Sequence, residues 1–413
     1  MTKTLKNGVR IIFEKNTNIR SCSIGIWVQN GSRHEPSHIN GISHFIEHML
    51  FKGTKTRTAK DIATQIDGIG GQMNAFTTKE CTCYYAKALD IHLDIAIDVL
   101  SDMFLNSLFL DKDIDLERSV IEEEISMYED QPEDVVIEKL YGEIHSDSSL
   151  GMPVLGTVDT LKNINSEVMH KYVQENYIGE NVIISVAGSY DENHIQKIEE
   201  IFSQVSSGGK NTFESADFKN TKLLIKKDIE QNHLCISFNG LSVVDENRYA
   251  LQVFNSLLGS GMSSRLFQKV REENGLCYSI SSFNSANLDT GIFSIYVALS
   301  KNTEDKAIKL IFEVLNDMVE NGITLEELLR QREQIKANIL MGLESNNSRM
   351  HFLARSLMFH NKILTADEII EKYDSVTIED VQTLAKQIIN YEKMSFCAVG
   401  DVSTEENYSI FKI

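Results

Sequence analysis

Val182-Ile-Ile-Ser-Val-Ala-Gly188 and Met394-Ser-Phe-Cys-Ala-Val-Gly400 are two apolar runs of seven residues, each closed by a glycine, at an offset of 212. A short apolar run bounded by turn residues reads as a buried strand. Asn30-Gly31 follows the apolar strand Ser23–Gln29, and Asn239-Gly240 follows Leu234–Phe238, at an offset of 209. His48-Met-Leu-Phe-Lys-Gly53 resembles Asn255-Ser-Leu-Leu-Gly-Ser260, at an offset of 207. Three pairs in the same order, at nearly one offset, mark an internal repeat. Between the copies lies Ser206-Ser-Gly-Gly-Lys-Asn-Thr-Phe-Glu-Ser215, polar and glycine-bearing, which reads as a linker. The expected division is therefore 1–205, a linker over 206–220, and 221–413.

Each half mixes both kinds of element. Thr4–Lys15 reads as a hairpin around Asn7-Gly8. Ser43–Leu50, Ala59–Ile66, Asp113–Tyr128, Ala307–Val319 and Leu325–Leu343 carry helical periodicity. Strands and helices come in runs rather than strict alternation, so the expected class is α+β.

Composition bounds the function. The chain has 413 residues, too many for one ordinary core, and 42% of them are hydrophobic. Lys and Arg number 40 against 60 Asp and Glu, a net charge of −20, and no basic run relieves it. Such a surface repels nucleic acid and anionic membranes, so neither is an expected partner. The start, Met-Thr-Lys-Thr-Leu-Lys-Asn-Gly, has no apolar signal-peptide core, and no stretch is apolar enough to span a bilayer. The expected location is the cytoplasm. The six scattered cysteines then read as reduced structural thiols; Cys81 and Cys83 flank one residue of a strand-like run, but no second Cys/His pair supports a metal or redox role there.

His44-Phe-Ile-Glu47-His48 is the sharpest chemical feature. Histidines at i and i+4 lie on one helix face, about 5–6 Å apart at Cβ, so both rings reach one zinc ion. Glu47 sits beside them, within reach of a water on that ion. Ser43 is placed to cap the start of this helix. The bland alternative is a pair of surface histidines on an amphipathic helix. A catalytic zinc keeps three protein ligands and one open position. On the helix Asp113–Tyr128, stepping about 100° per residue from Ile121 puts Ile114, Ile125 and Tyr128 on a buried stripe. Glu117 falls at about −40° and Glu124 at about −60°, whereas Glu122 and Glu123 turn away. Carboxylates beside an apolar stripe are costly unless they meet a cation, which makes Glu117 and Glu124 candidates for a ligand and its neighbour. A merely acidic helix edge fits those angles equally well.

With these residues in view, the chain resembles the M16 (pitrilysin-type) zinc peptidases, the inverzincins, and most closely the mitochondrial processing peptidase and its short bacterial relatives. The resemblance rests on His44-x-x-Glu47-His48, on the Met-Leu-Phe-Lys-Gly-Thr that follows, and on Glu117-Arg-Ser-Val-Ile-Glu-Glu-Glu124; it runs from Gly8 to about Gly400. It implies two homologous α+β halves closing as a clamshell around a chamber, one zinc per chain on His44, His48 and Glu124, Glu47 as general base and Glu117 as its acidic helper. It further implies that Asn74 and Ala75, on an edge strand, meet the substrate backbone. Arg271 and Tyr278 of the second half would reach the substrate, Tyr278 also serving the oxyanion, and the assembly would be a homodimer. At the 207 offset His44, Glu47 and His48 become Leu251, Phe254 and Asn255, so the second half holds no metal. The implied activity is a zinc endopeptidase acting on unfolded or short peptides. A non-catalytic scaffold subunit of the same family is the alternative.

Overall fold

In the computed structural model, residues 1–301, 303–402 and 408 are described. The first sheet comprises β1 (Thr2–Thr4), β2 (Arg10–Lys15), β3 (Ser21–Val28), β4 (Gln72–Thr77), β5 (Thr82–Leu89) and β6 (Val182–Gly188), in the order β1-β2-β6-β3-β5-β4. The second comprises β7 (Lys222–Lys226), β8 (Gln231–Asn239), β9 (Cys277–Ala286), β10 (Gly291–Ser300) and β11 (Ser395–Gly400), in the order β7-β11-β8-β10-β9. The orders are the same apart from β1. In each sheet one parallel pair, β2 with β6 and β7 with β11, leads into an antiparallel run. The repeat read from the sequence is thus a repeat of topology, with β6 and β11 as its equivalent inner strands. The fold is α+β.

Helices α1 (Ile42–Leu50), α2 (Ala59–Gly68) and α3 (Leu93–Asn106) follow in the first half, then α4 (Asp111–Glu129) and α5 (Pro132–Ile144). The division into contiguous halves needs correction. The compact units are 1–126 with 152–214 and 341–363, and 127–151 with 215–340 and 364–413. Every strand keeps to its own half, but one helix from each half joins the other unit. Residues 346–360, a helix, lie on the face of the first sheet that carries Trp27 and Cys83, with Met350, Leu353 and Ala354 buried there. The approach is close: a Cβ on Gly25 would meet Met350 Sδ at 2.4 Å. In the second unit α5 buries Val136 and Leu140 against Cys235, Ile292 and Cys397. The physical reason lies in the strands. Residues 22–28 of β3 are buried without a break, so both faces of the sheet need cover.

The linker region carries no regular element but is tied down. Phe213 stacks on the buried Arg33 guanidinium at 3.8 Å, Glu214 accepts from it at 3.0 Å, and Ala216 donates to Asp289 at 3.0 Å. All six cysteines are free thiols, five of them buried and Cys277 half-buried. Among the described residues no helix is long and apolar enough to cross a membrane.

Candidate metal centre

Helix α1 carries the histidine motif. Ile42, Phe45, Ile46, Met49 and Leu50 face the core, which leaves His44, Glu47 and His48 together on the other side. Its start differs from the expectation. Ser43 lies inside the helix and the N-cap is Gly41, at φ +96°. Only glycine suits that position, because a Cβ there would also meet Leu155 O at 2.7 Å. The capping acceptor is the buried carboxylate of Glu35, which accepts from Gly41 N–H at 2.6 Å and Ser43 N–H at 2.8 Å, and from Asn40 Nδ2 at 2.8 Å. Burial pushes the Glu35 carboxyl up to about 7 against the pull of those donors.

His44 Nε2 and His48 Nε2 lie 3.2 Å apart, and Glu124 Oε2 is 3.7 Å from each. A tetrahedral ion with bonds of about 2.0–2.2 Å sets its ligand atoms roughly 3.3–3.6 Å apart, so this triangle has the size of one face of its shell. No other group of three or more His, Cys, Asp or Glu among the described residues converges in this way. His48 Nδ1 donates to Glu117 Oε1 at 2.7 Å, which fixes the tautomer with a free lone pair on Nε2. The other oxygen of Glu117 is ion-paired with Lys52. Burial raises the Glu117 carboxyl, but Lys52 and His48 outweigh it and hold it below its ordinary value. Burial, with His48 adding, lowers His44 to about 3, so its imidazole is neutral and free to act as a ligand. The donors therefore fit a divalent cation that prefers imidazole and carboxylate, and a cluster of Glu47, Glu117 and Glu124 served by Lys52 gains from the added charge.

Glu47 is not in the ligand triangle. Its Oε2 accepts from Thr77 Oγ1 at 2.6 Å, at the end of β4. Burial raises its carboxyl; Thr77 and His48 oppose this, and the charge of Glu124 adds to it. A raised, positioned carboxylate suits a general base.

The helical phase of α4 places its acids much as the angles imply. Ile114, Glu117 and Ile121 are buried, Glu124 is partly exposed and Glu123 is exposed. Tyr128 departs from the expected stripe: it is exposed, beyond the last residue that α4 gives to the first unit. Asn74 and Ala75 lie on β4, which is an edge strand, and the N–H of Ala75 donates to the Asn74 side chain at 2.8 Å. Arg271 and Tyr278 belong to the second unit. There the Arg271 guanidinium lies 4.8 Å from the centre of the Tyr278 ring, which is 77% exposed. Sequence reasoning gave no role to Glu35, Lys52 or Thr77. Lys52 belongs to the run directly after the histidine motif and Thr77 closes the strand of Asn74 and Ala75, but nothing in their spacing names the carboxylates they hold.

Residues 10–158 match the insulinase (peptidase family M16) model, and residues 163–335 the model of the peptidase M16 inactive domain. An uncharacterized zinc protease of Bacillus subtilis is 45% identical over 386 residues, covering 93% of this chain and 94% of its own. Another, from Streptomyces coelicolor, is 36% identical, with 98% and 90% covered. The chain belongs to peptidase family M16. The same fold appears in a protease from Helicobacter pylori, with a TM-score of 0.90 at 20% identity and 97% and 99% of the two chains covered. It also appears in a chain of complex III2 from Candida albicans, at 0.85, 20% identity and full coverage of both.

Proposed function

We propose that this protein is a zinc endopeptidase that cleaves unfolded or short peptides. The observation that carries it is the convergence of His44, His48 and Glu124 on one point, with Glu47 held beside it by Thr77. The zinc protease names of its relatives support the metal. When bound by His44, His48 and Glu124, one zinc per chain supplies a Lewis acid that lowers the pKa of a water toward about 7 and polarises the scissile carbonyl. Glu47 takes a proton from the attacking water as its oxygen bonds to the carbonyl carbon. It then gives that proton to the amine nitrogen as the C–N bond breaks. Glu117, braced by Lys52, keeps His48 oriented throughout.

An extended peptide adds to the free edge of β4, where Asn74 and Ala75 meet its backbone. Binding there requires the Asn74 carboxamide to release the Ala75 N–H. From the second unit, Tyr278 donates its phenol to the oxyanion and Arg271 holds a peptide carbonyl. The proposed assembly is a homodimer, checked by sedimentation. The scaffold alternative requires no general base, and the complete set of acids and histidines in one unit supports the enzyme over it.

Digestion of a peptide library by the full-length chain with zinc restored tests the activity, together with metal analysis. Tyr278→Phe keeps the ring and the zinc content, and turnover falls roughly 10²-fold, as for one lost oxyanion donor. Turnover equal to the parent removes Tyr278 from the mechanism.

A further inference from the structure

We propose that the cleft beside the start of β4 is a subsite for a carboxylate of the peptide, with Lys87 as its specificity determinant; this rests on the peptidase reading above. The cleft has a volume of about 420 Å³. Gln72 and Asn74 of β4, Tyr85 and Lys87 of β5, and Ser345 and Asn347 at the start of the helix Asn346–His360 line it. Gln72 lies directly opposite Lys87 and Asn74 opposite Tyr85, so these four side chains share one sheet face.

Lys87 is half-buried, and among the described residues no carboxylate lies within ion-pair distance of it. In a chain with 60 acidic residues, a partly sheltered ammonium without a counter-charge marks a place for an anion from outside. The other residues that line the cleft are uncharged, Met73 among them, and most of them carry hydrogen-bonding side chains. Among the described residues Asn347 Oδ1 has no hydrogen-bond partner, and its carboxamide can turn an NH2 toward an anion. The first N–H groups of a 15-residue helix lie beside it and add to the same sign of potential.

The position relative to the chemistry follows from β4. Thr77 holds Glu47, and Asn74 and Gln72 precede it by three and five residues, or roughly 10–17 Å at about 3.3 Å per residue. A peptide on this edge turns alternate side chains to the Gln72 and Asn74 face. The subsite therefore serves a group about three to five positions from the cleaved bond. An Asp or Glu side chain and the C-terminal carboxylate offer the same chemistry.

The test uses the full zinc-loaded chain and quenched peptides that differ only by Glu or Gln at each of these positions, on either side of the cleaved bond. A parallel pair carries a free or an amidated C-terminus. At one position kcat/KM for Glu exceeds that for Gln by about fivefold, the value of one partly exposed charge pair. The ratio falls to about one in Lys87→Met and inverts in Lys87→Glu, and it shrinks as salt is raised. If the acid-to-amide ratio responds to Lys87 in place of the Glu-to-Gln ratio, the carboxylate is the C-terminus. Neither ratio responding overturns the subsite. Affinities of the same peptides for Glu47→Gln, by fluorescence anisotropy, separate the two proposals. Lys87-dependent binding without cleavage by the parent sinks the peptidase reading alone, and cleavage without Lys87 dependence sinks the subsite alone.

Discussion

Helices α1 and α4 have counterparts in the second unit, Arg248–Gly259 and Leu325–Gly342, beside a sheet of the same order. The buried positions agree in spacing: Ile114, Glu117 and Ile121 on α4 match Leu328, Gln331 and Ile335. By that register Glu124 corresponds to Asn338, and by the 207 offset His44, Glu47 and His48 correspond to Leu251, Phe254 and Asn255. Each of these five ionisable groups of the first region, His44, Glu47, His48, Glu117 and Glu124, is thus replaced by an apolar or amide side chain. Leu251 and Phe254 simply join the core, and Asn255 accepts from Ser282 at 2.7 Å. One framework holds a cluster that calls for a cation and a neutral cluster that calls for none. The fold supplies the convergence of two helices; the metal centre is a choice of side chains on it.

Making the first region resemble the second is the strongest test. Glu47→Gln, neutral like its counterpart, lowers peptide turnover by about 10²–10⁴-fold while zinc stays bound. Activity within threefold of the parent would show that another group is the base. Glu117→Gln copies Gln331 and weakens zinc about 10–100-fold in chelator competition, as expected for the partner that orients a ligand. Lys52→Met acts through Glu117 in the same direction by a smaller factor, and unchanged zinc affinity in both would break the chain from Lys52 to His48.

The cap at the start of α1 has a stability signature. Glu35→Gln turns an NH2 toward the N–H groups of Gly41 and Ser43 and costs about 1–3 kcal/mol in denaturant unfolding. Its pH dependence has a definite sign. The folded pKa of about 7 lies above the ordinary 4.5, so the folded state binds the proton more tightly. The associated stability is present below about 4.5 and lost as pH rises through about 7, at up to ~1.4 kcal/mol per pH unit. The Gln variant lacks that slope; an equal slope in both proteins would assign it elsewhere. At the place that Glu117 holds in the first unit, the second unit has Gln331, which is 1% exposed, and neither of its side-chain polar atoms has a partner among the described residues. Gln331→Leu removes an unpaired buried amide and raises stability by up to about 1 kcal/mol. Destabilisation would mean that the amide is satisfied after all.

Much of this was legible in the residues. Apolar runs closed by glycine fixed inner strands of both sheets, because burial on both faces demands an uninterrupted apolar string. Histidines at i and i+4 and acids on one side of α4 are matters of helical period, so local geometry named His44, Glu47, His48, Glu117 and Glu124 as the residues to watch. What local geometry cannot carry is the meeting of distant segments. Glu124 comes within 3.7 Å of both histidines only because α4 packs beside α1, and the same angles served an acidic helix edge equally well. Lys52 on Glu117 and Thr77 on Glu47 are long-range pairings without a periodic signature, and Glu35, six residues before Gly41, reaches the start of α1 through a non-repeating turn that has none either. The exchange of α5 and the helix Asn346–His360 between the halves belongs to the same kind. A strand that is apolar on both faces states that two layers must cover it, and leaves open which segments of the chain they are. That choice fell to shape, as where Met350 closes on Gly25, and shape exists only once the chain has folded.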